Sequence, residues 1–565
     1  MTAKKRLLLG CVAIVLLVAR VDGADVKIWT MARTERVLRD APAQSTIAVN
    51  MAAAKNEWES FQILLRSDEP VGGITIEAGD LKGPWFSCIR AKDARLFRQH
   101  QLELTVPTFR NDNFKPGWYP DALIPFRHPV TGSPLGDARY KAIPFDLPAN
   151  ETHGFWVDIH VPGNAPPGEY QGTYAVQVGD KRVEIPVALT VWNFELPRVL
   201  TIKTAFGWPP DRMRAHYRQR AKEGNEEEPK DWEAIERQAC EMLTQHHINC
   251  APPSGLMVPV KQADGTYRIS SENITKFREF CDTYQVNALL TPHPRSVVKD
   301  PDAEKETLHA WLKAWDVAAN ELDRPYVVFY TYLKDEPNDE EEYKYVQKWG
   351  RAICPQKSAL KVLVVEQTWT QDEKWGDLYG AVDIWCPLFS LFKPESAAKR
   401  QALGETVWTY TALCQRDPTP WWHIDFPLLN YRVPSWIAWR YGMKGILYWG
   451  GLSYWRGVED PWTDPKTLDR RKDGKGPNYN GEGSLVYPAR AVGYEGIVSS
   501  LRLKALRDSF EDYEYLSILD RAGMADKARE VIMPLAGSWF KWETDPAAYE
   551  KARAKLAEMI IAARK

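Results

Sequence analysis

The sequence has no excess of charge of either sign. Its 73 Lys plus Arg stand against 75 Asp plus Glu, a formal net charge of -2 over 565 residues. No global field therefore draws it to a phosphate backbone or an anionic membrane, and nucleic acid is not an expected partner. Cysteine is sparse as well: eight residues, irregularly spaced and without a Cys-x-x-Cys, so neither a disulfide framework nor a zinc site has its usual signature. Cys240 with Cys250, or Cys386 with Cys414, could pair in an oxidising compartment; the simpler reading is small buried residues. No His-Glu-x-x-His occurs, and His246 and His247 are adjacent rather than helix-spaced, so no metal site or cofactor is expected. After the first 24 residues no apolar run is long enough to span a bilayer.

What the sequence does have begins at the N-terminus. Lys4, Lys5 and Arg6 precede an apolar run from Leu7 to Ala19, followed by small residues at Gly23 and Ala24. That layout is a secretory signal peptide over 1–24, which predicts a secreted or periplasmic protein with no integral membrane segment once it is removed. Leu8-Leu9-Gly10-Cys11 also matches a bacterial lipoprotein box, although little apolar sequence precedes it, and lipid anchoring is the competing reading of the same segment.

From residue 25 to 197 the pattern predicts a β-sandwich, with short strand-like runs punctuated by Pro, Gly, Asn and Asp. Its clearest piece is a hairpin. Tyr174, Val176 and Val178 alternate before Gly179-Asp180, and Val183, Ile185, Val187, Leu189 and Val191 alternate after it, which buries one face. After Pro197 strand and helix alternate. Candidate strands are Thr204 to Trp208, Asn249 to Pro252, Ala288 to Pro292, Tyr326 to Leu333, Lys361 to Glu366, Val382 to Pro387, Thr406 to Ala412 and Gly445 to Gly450. Eight strands with intervening helices predict a (β/α)8 TIM-type barrel over 198–490. The C-terminal segment, 491–565, reads as helices packed on that barrel, the charges between Arg507 and Tyr515 being solvated or capping ones.

The fourth strand ends in Lys334-Asp335-Glu336-Pro337. Two consecutive side chains on a strand point to opposite faces, so Asp335 and Glu336 can reach one ligand only where the strand is ending, and Pro337 supplies that ending. The plain alternative is that the pair belongs with Asp339, Glu340, Glu341 and Glu342 as acids favoured at a helix start. Barrel active sites lie at the C-terminal ends of the strands. Trp208, Tyr332, Glu366, Gln367, Trp385, Tyr410 and Trp449 stand on or just after strands, and Trp455 and Asp460 lie in the long loop after the eighth. With 24 Trp and 24 Tyr in the chain, a carboxylate-bearing mouth walled by aromatic rings fits a sugar, whose C–H faces stack while its hydroxyls take directed hydrogen bonds. Core packing is the alternative for each ring singly.

The Asp-Glu-Pro at the fourth strand, the preceding sandwich, and the tail Gly481-Glu482-Gly483-Ser484-Leu485-Val486-Tyr487-Pro488 followed by Ser500-Leu501-Arg502-Leu503 and by Arg507-Asp508 through Tyr515-Leu516 resemble glycoside hydrolase family 123. The tail is similar to the domain of unknown function 4091 that accompanies that family. The resemblance implies a retaining, exo-acting β-N-acetylgalactosaminidase in which the substrate's own 2-acetamido oxygen attacks the anomeric carbon. The family's Asp-Glu pair falls on Asp335, which would hold the acetamido N–H, and on Glu336, which would protonate the leaving oxygen and later activate water. Two other readings stay open: a glycosidase of a non-acetamido sugar, with Glu336 as acid and Glu366 or Asp460 as a distant nucleophile or base, and a non-catalytic carbohydrate-binding protein.

Overall fold

A computed structural model describes residues 25–413, 415, 418–455, 458–466 and 476–564. The signal-peptide reading, Cys414 and the start of the Gly-rich loop lie outside the described residues.

Alternation dictates the N-terminal part. Two sheets face one another, one of five strands ordered Lys27–Ala32, Trp58–Arg66, Thr152–His160, Arg95–Leu104, Gly117–Pro125, the other of seven, running Val49–Lys55, Lys181–Glu195, Gly168–Val178, Val71–Glu77, Phe145–Leu147 with the short Leu81–Lys82 and Cys88–Ile89 paired beside it. The expected hairpin pairs Val176 with Val183 and Tyr174 with Ile185 around the Gly179-Asp180 turn. Its inward residues Tyr174, Val176, Ile185, Val187 and Leu189 meet Phe61, Ile63, Phe155 and Val157 of the facing sheet in one apolar core. Along Lys181–Glu195 every second residue from Ile185 to Val191 is buried because that strand faces the core on one side only, whereas Trp58–Arg66 and Thr152–His160 are buried on both faces.

The second part is a nearly closed, barrel-like parallel sheet. Among the described residues it has seven strands, ordered Lys203–Ala205, Gly445–Tyr448, Thr406–Thr411, Ile384–Trp385, Leu360–Val365, Val328–Asp335, Ala288–Leu290. The expected strand at Asn249 to Pro252 is not one. It lies between the two edge strands, and Asn249 closes the gap with its side chain: Nδ2 donates to the Thr204 carbonyl (2.9 Å) and to Asn287 Oδ1 (3.0 Å), while Oδ1 accepts from the Asn287 N–H (2.8 Å). Pro252 and Pro253 have no N–H to give to a ladder, so an amide side chain does the pairing.

Parallel strands covered on both faces carry apolar residues continuously, and here the two faces differ in their packing partners. Tyr330, Leu363, Val365, Ile384, Cys386, Trp408, Tyr410 and Leu447 fill the interior, with Tyr332 packed at its edge. Phe329, Val362, Val364, Trp385, Val407 and Ile446 belong to the outer core, shared with Trp311 and Trp315 of the helix Lys305–Leu322 and with the other surrounding helices. No described helix is long and apolar enough to cross a membrane. Cys240 and Cys250 are free, buried thiols.

The C-terminal helix Leu501–Arg521 contradicts its expected exposure. Arg502, Lys504, Arg507, Asp508, Glu511, Asp512 and Glu514 are all buried on it. Their partners lie far off in sequence: Asp121 and Asp158 on the five-stranded sheet take Arg502 and Arg507, and Arg432 takes Asp512. A helix buried all round must satisfy its charges internally, and this one does so by linking the N-terminal sheets to the barrel.

Candidate active site

The strand Val328–Asp335 ends where the sequence places the ending. Its register with Leu360–Val365 slips between Tyr332 and Lys334, a bulge that re-aims the last residues. Glu336 then takes a left-handed conformation, φ 38°, while its N–H still donates to the Val365 carbonyl (3.1 Å). Left-handed backbone costs a non-glycine residue about 1–3 kcal/mol and persists only where surrounding structure enforces it. Its effect here is to bring two consecutive side chains to the same side. Tyr332 and Tyr410, inward residues of two different strands, each donate a phenolic hydrogen bond, Tyr332 to Asp335 Oδ1 (2.7 Å) and Tyr410 to Glu336 Oε1. The two carboxylates thus meet over the interior of the sheet.

The remaining acids of the run separate from the pair. Asp339 caps the helix Glu340–Ile353 by accepting the Glu342 N–H (2.8 Å), and Glu342 pairs with Lys334. The helix-start reading holds for these residues.

Glu366 follows the neighbouring strand Leu360–Val365 and is only 4 % exposed. Its Oε1 accepts from Tyr343 Oη (3.2 Å) and Gln371 Nε2 (3.4 Å). Burial pushes its carboxyl up to about 8, the Glu336 charge adding to the rise, against hydrogen bonds from Gln371, Tyr343 and the Gln367 N–H that oppose it. Gln367 is buried beside it. Burial and the Asp335 charge likewise raise the Tyr332 phenol, which keeps it a donor.

Trp208 is half-buried at the start of the helix Pro209–Lys222, its carbonyl against Gly451. Trp449, also half-buried, donates its indole N–H to Glu482 Oε1 and packs on Tyr454, ring centroids 5.0 Å apart. Glu482, 1 % exposed, also meets His423 Nε2 at 2.7 Å. This acid sits among the loop's polar residues and carries no sequence signal as a structural one beyond the two flanking glycines, Gly481 and Gly483, both of positive φ.

Three expected pocket residues are elsewhere. Trp385 points outward into the helix layer, its indole N–H on Glu405 (2.6 Å), because the strand's alternation gives the interior to Ile384 and Cys386. Trp455 is buried, donating to the Val486 carbonyl (3.1 Å). Asp460 pairs with Arg139 of the N-terminal part (2.6 Å) and caps its own turn through the Trp462 N–H (3.1 Å). Each has an anchoring partner that accounts for it. The structure brings together Tyr332, Asp335, Glu336 and Tyr410, with Glu366 and Gln367 alongside.

Comparison with known proteins bears on the family and the fold. The glycoside hydrolase 123 catalytic-domain model matches residues 307–519, a span that holds the carboxylate pair and the tail motif, and the glycoside hydrolase 123 N-terminal domain model matches residues 34–178. A family 123 glycoside hydrolase from Clostridium perfringens, solved for the details of glycolipid glycan hydrolysis, has the same fold at a TM-score of 0.62 and 15 % identity, covering 95 % of this chain and 98 % of that one. Bacteroides uniformis beta-glucuronidase 2 gives a TM-score of 0.26 at 9 % identity over 87 % of this chain and 50 % of that one, too low to bear on the fold. No curated protein matches the sequence. The two domain models and the full-length fold together make the chain a glycoside hydrolase belonging to family 123.

Proposed function

We propose that the protein is a retaining, exo-acting β-N-acetylgalactosaminidase that works through the substrate's 2-acetamido group. The observation that carries this reading is the convergence of Asp335 and Glu336, adjacent in sequence yet each held by an inward tyrosine. Hydrolases that use two protein carboxylates across the bond need them about 5 to 9.5 Å apart, from separated positions. An adjacent pair suits a division of labour on one face. The acetamido oxygen forms a bond to the anomeric carbon as the bond to the leaving oxygen breaks, and Glu336 supplies that oxygen's proton. Asp335 accepts the acetamido N–H and offsets the positive charge of the cyclic intermediate. Glu336, now ionised, takes a proton from water, which attacks the same carbon as that carbon's bond to the acetamido oxygen breaks, regenerating the acetamido group and restoring the starting configuration.

Two observations disfavour a distant protein nucleophile. Glu366, raised to about 8, is neutral at pH 7, and Asp460 is occupied by Arg139. Tyr332, Gln367, Trp208 and Trp449 are the groups we assign to substrate contact. The sugar is presented by a glycan or glycoconjugate, the glycolipid glycan of the Clostridium perfringens enzyme being one such class. In the same reading residues 1–24 direct export, which N-terminal sequencing of the protein recovered from its host tests.

The test is hydrolysis of nitrophenyl β-glycosides of GalNAc, GlcNAc, galactose and glucose, with and without a thiazoline that mimics the cyclic intermediate. Cleavage confined to acetamido sugars, blocked by the thiazoline and lost in Asp335→Asn, is the expected result. Glu336→Gln should lose most on poor leaving groups and least on good ones. Cleavage of a sugar without the acetamido group, insensitive to the thiazoline, overturns the proposal.

A further inference from the structure

We propose that Glu366 is a positioning residue: as a neutral carboxylic acid buried against Tyr343 and Gln371, it steadies the turn after Glu336 and keeps a second negative charge away from the catalytic pair. The inference rests on the reading of Asp335 and Glu336 as that pair.

The geometry is a short relay. Gln371 Nε2 reaches Glu366 Oε1 (3.4 Å), the Pro337 carbonyl (3.3 Å) and Asn338 Oδ1 (3.4 Å). Asn338 in turn donates its Nδ2 to the Glu336 carbonyl (2.6 Å). The residue before Glu366, Val365, accepts the Glu336 N–H. Val365 and Glu366 therefore hold the strained residue from two directions, one through backbone and the other through Gln371 and Asn338. Glu336 cannot keep φ 38° without such support, since relaxing to an ordinary conformation would swing its carboxylate away from Tyr410.

The charge state follows from what surrounds Glu366. Tyr343, on the helix Glu340–Ile353, and Gln371 both approach as neutral donors, and the ionisable group that acts on it from the facing turn is Glu336, of its own sign. Lys334, on the strand between, is engaged by Glu342. Burial opposes ionisation, and the carboxyl is raised to about 8. Below that pH Glu366 is neutral, and the field at Glu336 is set by Asp335 and the two tyrosines. Above it, a second buried carboxylate repels Glu336, even as the hydrogen bonds it accepts from Gln371 and Tyr343 strengthen.

The expected consequence is an alkaline limb in kcat/KM that belongs to Glu366. The experiment compares the pH profiles of the wild type, Glu366→Gln and Glu366→Ala on nitrophenyl β-GalNAc, with Asp335→Asn in parallel. Glu366→Gln keeps a neutral hydrogen-bonding group of the same shape. It should retain activity within about threefold at pH 6 and shift the alkaline limb upward by a pH unit or more. Glu366→Ala, which breaks the relay, should lower kcat at least tenfold with a smaller change in KM. Infrared difference spectra of the folded proteins at pH 6.5 supply a readout apart from turnover: a neutral carboxylic acid band present in the wild type and missing in Glu366→Gln.

Loss of activity in Glu366→Gln at every pH overturns the proposal, because it would require an ionised Glu366. An unmoved alkaline limb, or no such infrared band, overturns it too. If Asp335→Asn keeps full, thiazoline-sensitive activity, it is the assignment of the pair that fails, whatever Glu366 does.

Discussion

Replacing Asp158 by Asn tests the charge network that fastens the N-terminal sheets to the C-terminal helix. Asp158 Oδ1 accepts from Ser60 Oγ (2.7 Å), Trp156 Nε1 (2.6 Å) and Arg507 Nη2 (3.1 Å), and Oδ2 from Arg507 Nη1 (3.1 Å) and Lys504 Nζ (2.6 Å). Asparagine keeps the oxygen that faces Ser60 and Trp156 but turns an N–H2 donor toward two cations. Removing one partner of a buried ion pair costs about 3–5 kcal/mol, since the other is left unpaired in a dry place. Lys504 softens the loss: burial lowers it to about 8 even with Asp158 raising it, so without that carboxylate it can shed its proton near neutral pH. The cost at pH 7 therefore falls at the low end, about 3 kcal/mol.

The pH dependence has a definite sign. Burial works to raise the Asp158 carboxyl, but Arg507 and Lys504 outweigh it and hold the group far below its ordinary 3.8. A depressed folded value gives stability that is complete above the unfolded value and is lost as pH falls toward the folded one. The gap between wild type and variant should thus widen as pH falls from 7 to 5, where Lys504 of the variant must regain its proton without a partner, and narrow below pH 4. Urea titration followed by circular dichroism measures it. A chain of this size need not unfold in one step, so hydrogen exchange on Thr152–His160 and Leu501–Arg521 gives the local readout. A loss under about 1 kcal/mol at pH 7, well short of what a broken buried pair costs, or a gap indifferent to acid, refutes the reasoning.

Tyr410→Phe removes the hydrogen bond to Glu336; a hydrogen bond contributes about 0.5–1.5 kcal/mol to stability, so the melting temperature should fall only slightly while kcat on a chromogenic glycoside falls tenfold or more, and an unaltered kcat would separate Tyr410 from the chemistry. Trp385→Phe leaves Glu405 without its indole donor; calorimetry should show a loss of about 1–3 kcal/mol, while a change in KM would return Trp385 to the pocket wall.

Legibility in the sequence followed the range of the interaction. The hairpin around Gly179-Asp180 was readable because alternation is a local signal, and the strand ending at Asp335 because Pro337 marks where pairing must stop. Asn249 to Pro252 misled because an extended segment between two barrel strands has a strand's composition, and nothing local says that the Asn249 amide will do the pairing. Trp385 and Tyr410 were equally plausible as strand aromatics. Only the register, which sets Trp385 outward and Tyr410 inward, separates them. Glu366 was visible as a polar residue at a strand end, but its charge state depends on Tyr343, Gln371 and Glu336, which folding assembles.

The C-terminal helix was misread for a related reason, and its burial bears on the active site. Cations and anions three or four residues apart on a helix look like self-contained surface pairs, yet here their partners are on remote strands. Arg502 joins its helix to two remote elements, a strand and a loop. Its Nε donates to Asp121 of the five-stranded sheet (3.0 Å), its Nη1 to the Gly481 carbonyl (2.9 Å) and its Nη2 to the Ser484 carbonyl (2.6 Å). The segment so clamped carries Glu482, which receives the Trp449 indole, and the Gly483 N–H, which donates to Tyr448 Oη (2.8 Å) at the end of the last barrel strand. The planar guanidinium fixes direction as well as distance, so an acid of the N-terminal sheet helps to set where an aromatic ring stands after the last barrel strand. The N-terminal part is on this account a support of the loop that follows the last barrel strand.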